Sequence, residues 1–426
     1  MKEQEGVRQL VDHLFRHQSG KMIAVLIRIF GMHNLEMIED VVQESFLRAI
    51  HTWTFNHLPN NPGGWLMQVA RNRAIDIIRR QQHFQQFSHE LASELQQDTE
   101  NTVQHFFSEA EMADSQLRMI FACCHPALKE EDQIALTLKT VSGFGVTEIS
   151  HALLTNEAVI QKRLYRAKQY LKENQIALDI PTGPELGRRL DIVYTVLYLL
   201  FNEGYHSQNA GELIRKDLCA EAMRLCLLLT EHKTGNRPTT FALLALMCLQ
   251  ASRFESRMDE NNSIILLQYQ DRNTWNKALI QKGYEYLNLS SQGNELTVYH
   301  LESAIAAEHC MAPSFAQTNW QRMLLLYDML LGQKQSALVI LNRAVVLTQL
   351  NRTGEALQEI WHINDIEHLI NTQYIFSAVL GELYLQGNDD HNAVKFLQLA
   401  QSLTTSQAEK KLIGAKLETL SRTKMN

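Results

Sequence analysis

The chain has 426 residues, 45% of them apolar, enough for two or three buried cores at roughly 100 to 200 residues per domain. No stretch approaches the roughly 18 uncharged apolar residues needed to cross a bilayer, and the longest, VYTVLYLLF at 193–201, is followed by polar NEGYH. The net charge of −7 excludes a generic nucleic-acid coat, so any phosphate contact must come from local clusters of cations.

The N-terminus, MKEQEGVRQLVDHLF, mixes charge with apolar residues and has no signal-peptide core, so a soluble, cytoplasmic protein without a membrane partner is expected. Only seven prolines interrupt the chain, and apolar residues recur at spacings of three and four with no alternating strand pattern. The expected fold class is all-α. Punctuation divides it into a helical unit at 1–82, a linker at 83–113, a second helical unit at 114–178 and a helical extension at 181–426.

In the first unit, LEMIEDVVQESFLRAIHTW at 35–53 predicts an amphipathic helix. Ile38, Val42, Phe46, Ala49 and Trp53 face a core, leaving Glu39, Asp40, Gln43 and Glu44 on the other side. A polar loop, HLPNNPGG at 57–64, leads to WLMQVARNRAIDIIRRQQ at 65–82. There Trp65, Val69, Ala70, Ile77 and Ile78 anchor a helix striped by Arg71, Arg73, Arg79 and Arg80. The following residues, 83–113, carry six acidic groups and no Lys or Arg, and read as a linker.

The second unit contains VTEISHALLTNEAVIQKRLYRAKQYLKE. A short helix over 146–153 puts Ile149, Ala152 and Leu153 on one face, and Leu154 and Thr155 form a turn. Asn156 is a good N-cap for a second helix, because its side-chain oxygen can accept from a free amide of the first turn. That helix buries Ile160, Leu164, Ala167 and Leu171, and leaves Glu157, Gln161, Lys162, Arg166 and Lys168 largely outward. This is the division a recognition helix needs: apolar residues set its angle while polar residues reach base edges and lysines hold phosphate. DIPTGPE, with Pro181, Gly183 and Pro184, stops the unit.

The extension carries a weak internal repeat. NRAVVLTQLNRTGEAL at 342–357 aligns with LGELYLQGNDDHNAV at an offset of 37 residues, which sets Ala344 over Gly381, Asn351 over Asn388 and Ala356 over Ala393. Stacked hairpins of the tetratricopeptide (TPR) type are expected, with an ordinary bundle as the alternative. Small residues mark close helix approaches, and Gly354 or Gly387 marks the turn.

Six cysteines form no CxxC pair. Cys123-Cys124-His125 is the one arrangement that invites a metal, but adjacent cysteines without a second cluster point to packing. No Gly-rich phosphate loop, HExxH motif or nucleophile elbow is present, so no enzyme, metal or cofactor is expected.

The order DVVQESF, NNPGGWL, ARNRAIDIIRR, a linker and then a helix pair ending in RLYRAK resembles bacterial sigma factors of the sigma-70 family, specifically the extracytoplasmic-function (ECF) group. The likeness covers about 1–178. FACCHPAL, LFNEGYHSQ, LCAEAMRLCLLL, LLQYQDRNTWN and VLNRAVVL resemble the sub-group with a long TPR-like C-terminal extension. The resemblance implies that core RNA polymerase and promoter DNA are partners, and that Asp40, Gln43 and Glu44 dock on polymerase. It implies that the loop from Phe55 to Gly64, including Asn61, and Asn72 hold a flipped base of the start-proximal element, with Arg71, Arg73, Arg79 and Arg80 along the strand. Gln161, Lys162, Arg163, Arg166 and Lys168 would contact the upstream element. Many family members carry Arg or Ser where Gln161 and Lys162 follow Ile160, so promoter sequence does not carry over. The extension would be a regulatory domain, open also to a regulatory protein partner. A second reading stays open: a one-component regulator that binds a palindrome as a dimer without polymerase.

Overall fold

The computed structural model describes all residues except 1, 56–57, 86–104, 154, 175, 177–179, 181–183, 207–213, 261–262 and 424–426. Most of the expected acidic linker, the turn residue Leu154 and the Pro181–Gly183 stop signal therefore lie outside the described residues. The described residues are essentially all helical, with one isolated antiparallel bridge between Met258 and Ile264. They fall into two compact units, 1–200 and 201–426.

The first unit contains α1 (Lys2–Phe30), α2 (Leu35–Phe55), α3 (Pro62–Gln85), α4 (Glu109–Cys123), α5 (Glu130–Thr140), α6 (Val146–Ala152) and α7 (Glu157–Glu173). Gly31, at φ 82°, ends α1 in the left-handed conformation that only a residue without Cβ adopts cheaply. A 3-10 turn at Met32–Asn34 then reverses the chain into α2. Ile38, Val42, Phe46, Ala49 and Trp53 are all buried, as their spacing predicts. Phe15 of α1 meets Phe46 edge-on, with ring centroids 4.9 Å apart. The polar loop is shorter than expected, because α3 already starts at Pro62. Asn61 caps it by accepting from the Gly64 amide at 2.9 Å, and proline at the first helical position needs no amide of its own.

The two helical units expected at 1–82 and 114–178 are joined in this one compact unit. α4 packs along α1, where Arg28 pairs with Glu111 at 2.6 Å and Asp114 at 3.1 Å. α1 also approaches the end of α5 so closely that a Cβ on Gly20 would lie 2.0 Å from the Val141 carbonyl oxygen. Cys123 and Cys124 belong to the α4–α5 packing: their sulfurs lie 3.3 Å from the Thr140 hydroxyl and 3.8 Å from that of Thr137. Burial pushes the Cys123 thiol up to about 12, so it stays protonated. α8 (Pro184–Tyr205) carries the chain from the first unit into the second.

The second unit comprises α9 (Lys216–Glu231), α10 (Pro238–Ala251), α11 (Lys277–Ser290), α12 (Val298–Met311), α13 (Trp320–Gln333) and α14 (Ala337–Gln349). These are followed by α15 (Thr353–Trp361), α16 (Ile366–Thr372), α17 (Tyr374–Gln386), α18 (Asp390–Leu403) and α19 (Gln407–Thr423). Successive helices pack on one another, and α17 and α18 form a closely packed pair. Their shared core runs from Leu301 and Met323 through Leu341 and Leu347 to Phe376 and Phe396. The repeat is visible at its turns: Asn351 and Asn388 both adopt positive φ, 60° and 58°. Asparagine, rather than the expected glycines, supplies the left-handed residue, since its short polar side chain tolerates that region. Gly354 instead lies inside α15 and Gly387 has an ordinary φ of −81°. Gly381 does mark a close approach, because a Cβ there would meet Leu397 Cγ at 2.7 Å.

The α1–α5 crossing predicts that Gly20→Ala destabilises the protein. Overpacking against a backbone carbonyl costs about 1–3 kcal/mol or more, of which better helix propensity returns up to about 1 kcal/mol. Thermal unfolding should show a lowered Tm; an unchanged or raised Tm would contradict the crossing.

Candidate nucleic-acid interface

α6 ends at Ala152 and α7 begins at Glu157. Asn156 adopts extended backbone angles and accepts from the Val159 amide at 3.0 Å, filling the N-cap role read from sequence. Thr147 of α6 donates to Glu157 at 2.7 Å and so ties the two helices together. Ile149 is buried, as are Ile160, Leu164, Ala167 and Leu171 along α7, which packs against α5 and α6. This apolar stripe fixes the rotation of α7. It leaves Gln161, Lys162 and Tyr165 exposed, with Arg163 half-buried.

Two of the residues expected to face outward are held by carboxylates. Arg166 forms a two-toothed pair with Asp132 of α5, at 2.6 and 3.2 Å, and the Asp132 side chain is only 5% exposed. Lys168 reaches both oxygens of Glu39 on α2, at 2.6 and 2.8 Å. One turn further on, Lys172 lies 3.5 Å from Glu36. Lys139 of α5 sits in the same charge cluster; burial lowers its pKa most, against the attraction of Glu39. Sequence spacing gave the face of α7 but not these partners, which lie 34 to 136 residues away.

On the same outward face of α2, Asp40, Gln43 and Glu44 are exposed, Asp40 one turn on from Glu36 and Gln43 one turn on from Glu39. Glu44 pairs with Arg73 of α3 at 3.2 Å. That pair borders a polar cleft of about 420 Å³ between α2 and α3, lined also by Arg48, Trp65, Gln68, Asn72 and Asp76. Trp65, expected only as an apolar anchor, presents an edge to Trp53 at 5.3 Å and lines this cleft. Arg48, Gln68 and Asp76 were not singled out by sequence, although their one-turn spacings from Glu44 and Asn72 place them on the same faces. Asn61, Asn72, Arg79 and Arg80 are exposed, whereas Arg71 is half-buried. The side chain of Phe55 and residues 56–57 lie outside the described set. The structure thus brings Glu44, Asn72 and Arg73 together, and brings α7 onto α2 at Glu39; it leaves Asn61 and Gln161 apart from these clusters.

Residues 14–84 match the family described as Sigma-70 region 2. Residues 189–291 match a second family, described only as of unknown function (DUF6596). The chain is 33% identical over 399 residues to an uncharacterised protein of Rhizobium meliloti, covering 93% of each. It is 31% identical over 137 residues to the ECF RNA polymerase sigma factor SigM of Bacillus subtilis, covering 32% of this chain and 78% of that protein. The chain belongs to the family of ECF RNA polymerase sigma factors. The ECF RNA polymerase sigma-E factor of Haemophilus influenzae is 26% identical over 176 residues, covering 41% of this chain and 90% of that relative. No solved structure matches the chain. As an ECF sigma factor the protein is a regulatory factor rather than an enzyme, with a role in transcription.

The Asn156 cap gives a direct check on the geometry of α7. Replacing a capping Asn by Ala costs about 1 kcal/mol. Asn156→Ala should therefore lower the urea midpoint and speed amide exchange in the first turn of α7, while Asn156→Asp should do neither. Equal loss in both variants would contradict the cap.

Proposed function

We propose that the protein binds core RNA polymerase, directs it to promoter DNA and promotes initiation, with residues 1–82 acting as sigma region 2 and 114–178 as the helix-turn-helix of region 4. The observation that carries this reading is that one chain of the ECF family bears an exposed acidic face on α2 and a basic, polar-tipped face on α7. Asp40, Gln43 and Glu44 would meet polymerase. Asn61, Asn72, Arg71, Arg73, Arg79 and Arg80 would hold the unwound start-proximal element; the polar cleft beside Trp65 offers hydrogen-bond groups and an aromatic face of the kind a flipped base needs. Gln161, Lys162, Arg163, Arg166 and Lys168 would read the upstream element, Gln161 at base edges and the cations at phosphate.

Two consequences follow from the ion pairs. Arg166 is already neutralised by Asp132, so Lys162 and Arg163 carry the phosphate contact available without rearrangement. Lys168 and Glu39 mask each other, so the α2–α7 contact must open for both faces to be used at once. The extension, 181–426, is read as a TPR-like regulatory domain that modulates this opening and accepts a regulatory protein.

The test is promoter-directed transcription with core polymerase. The full chain should bind core and yield specific transcripts, and Asp40→Lys should weaken core binding about tenfold, or roughly 1.4 kcal/mol, without lowering Tm. Lys162→Ala should reduce the salt dependence of promoter binding by about one phosphate contact. A chain ended after residue 206 should give an altered transcript yield. Failure of the full chain to bind core would overturn the reading, and an unaltered yield from the shortened chain would overturn the regulatory role.

A further inference from the structure

The second unit encloses a half-open cavity of about 470 Å³ whose walls come from α13, α14, α17 and α19, with the segment 264–268 lying along one side. Its volume is within the roughly 300–1,000 Å³ range of small-molecule sites. The lining is mainly apolar, with Trp320 and Met323 on α13, Val345 on α14, Ile375 and Ala378 on α17, and Ile413 on α19.

The charged groups of this wall are already matched within the unit. Lys416 pairs with Glu382, and Glu409 accepts from the hydroxyls of Tyr374 and Thr404 and from His206 at 3.4 Å. Burial raises the pKa of Glu409, but its bonds from His206, Thr404 and Tyr374 outweigh that and hold it below the usual range. His309, also in the wall, is pushed down to about 3 by burial and by Arg253 and Arg272, so it adds no charge. Among the described residues that line the cavity, no unmatched cation is left for a phosphate or carboxylate.

What remains uncommitted is neutral. The carboxamides of Asn342, Gln349 and Gln386 line the cavity and make no hydrogen bond to any described residue. Gln349 and Gln386 stand 37 residues apart, at equivalent positions of the repeat, so the same helix face presents both. Each carboxamide offers both donor and acceptor. The segment Ile264–Gln268, which enters a 3-10 turn at Leu267, already lies on this face, with neighbouring Ser263 held by Lys411 at 2.6 Å. The place along which a partner peptide would run is thus partly filled by the protein itself, and a bounded space is left.

We propose that this cavity binds an uncharged, largely apolar small molecule carrying one or two hydroxyl, carbonyl or amide groups. The apolar body lies between Trp320 and Val345 on one side and Ile375 and Ile413 on the other, while the carboxamides fix its polar end. This site is separate from the residues assigned to polymerase and DNA, and its test does not depend on transcription.

The test is titration of the full chain with N-phenyl-1-naphthylamine, an uncharged aromatic amine that fluoresces on leaving water. One saturable site per chain is expected, with 1-decanol displacing the probe and raising Tm, and decanoate at least about tenfold weaker. Val345→Trp, at a position 36% exposed and so tolerant of substitution, should fill the cavity and weaken the probe at least about tenfold. Leu325→Ser, which removes an exposed apolar side chain of α13 outside the cavity, should leave binding unchanged. Absence of saturable binding, equal affinity in Val345→Trp, or equal displacement by decanoate would overturn the proposal. Displacement by an acetylated, amidated hexapeptide copying Ile264–Tyr269 but not by decanol would also overturn it, in favour of a peptide groove.

Discussion

Lys168 and Glu39 meet across 129 residues of sequence, and the arrangement of the first unit depends on their contact. Both oxygens of one carboxylate accept from one ammonium, and the two side chains are only 21% and 19% exposed. Partial burial makes such a pair less screened than an exposed one, and removing one partner leaves the other poorly solvated. Beneath it the α1–α5 crossing at Gly20 sets how closely the helices behind α2 and α7 approach. Together they hold Lys168 and Lys172 of α7 against Glu39 and Glu36 of α2. Two of the cations of α7 are thereby neutralised within the protein.

The same logic of internal neutralisation recurs elsewhere. Asp132 occupies Arg166, Glu44 engages Arg73, and in the second unit Arg343 is shared between Asp328 and Glu359. Each pairing joins helices that are distant or adjacent in sequence, and each lowers the number of cations available to an outside phosphate. For a factor that acts beside polymerase, this is consistent with a division of labour. Under the function proposed above, polymerase would hold the DNA while this chain contributes selective contacts.

Much of the fold was legible in the sequence because it is encoded locally. The stripe Ile160, Leu164, Ala167, Leu171 and the Asn156 cap need only the helical period and one side-chain oxygen, and both are found as read. The same holds for the buried face of α2 and for the small residues of the repeat. What sequence reading missed is tertiary. Nothing local tells Arg166 that Asp132 is its neighbour, or that Trp65 borders a cleft with Arg48 and Asp76. Gly387 does lie in the turn after α17, but the residue with positive φ is Asn388 beside it, because asparagine reaches the left-handed region too. The contacts between the two sigma-like segments, at Gly20, Arg28 and Lys168, depend on folding of the whole first unit and leave no local signal.

Under the function proposed above, the α2 and α7 faces that meet at Glu39 and Lys168 in the free protein part when polymerase is engaged. Leu47 and Tyr165, on α2 and α7, are 66% and 69% exposed and lie outside both ion-paired clusters, so they can carry spin labels through introduced ketone side chains. Pulsed electron–electron distance measurement on the free chain and on its complex with core polymerase and promoter DNA reads this separation. A single short distance in the free chain, replaced by a clearly longer one in the complex, is the predicted result. An unchanged distance in a complex that initiates transcription would contradict it.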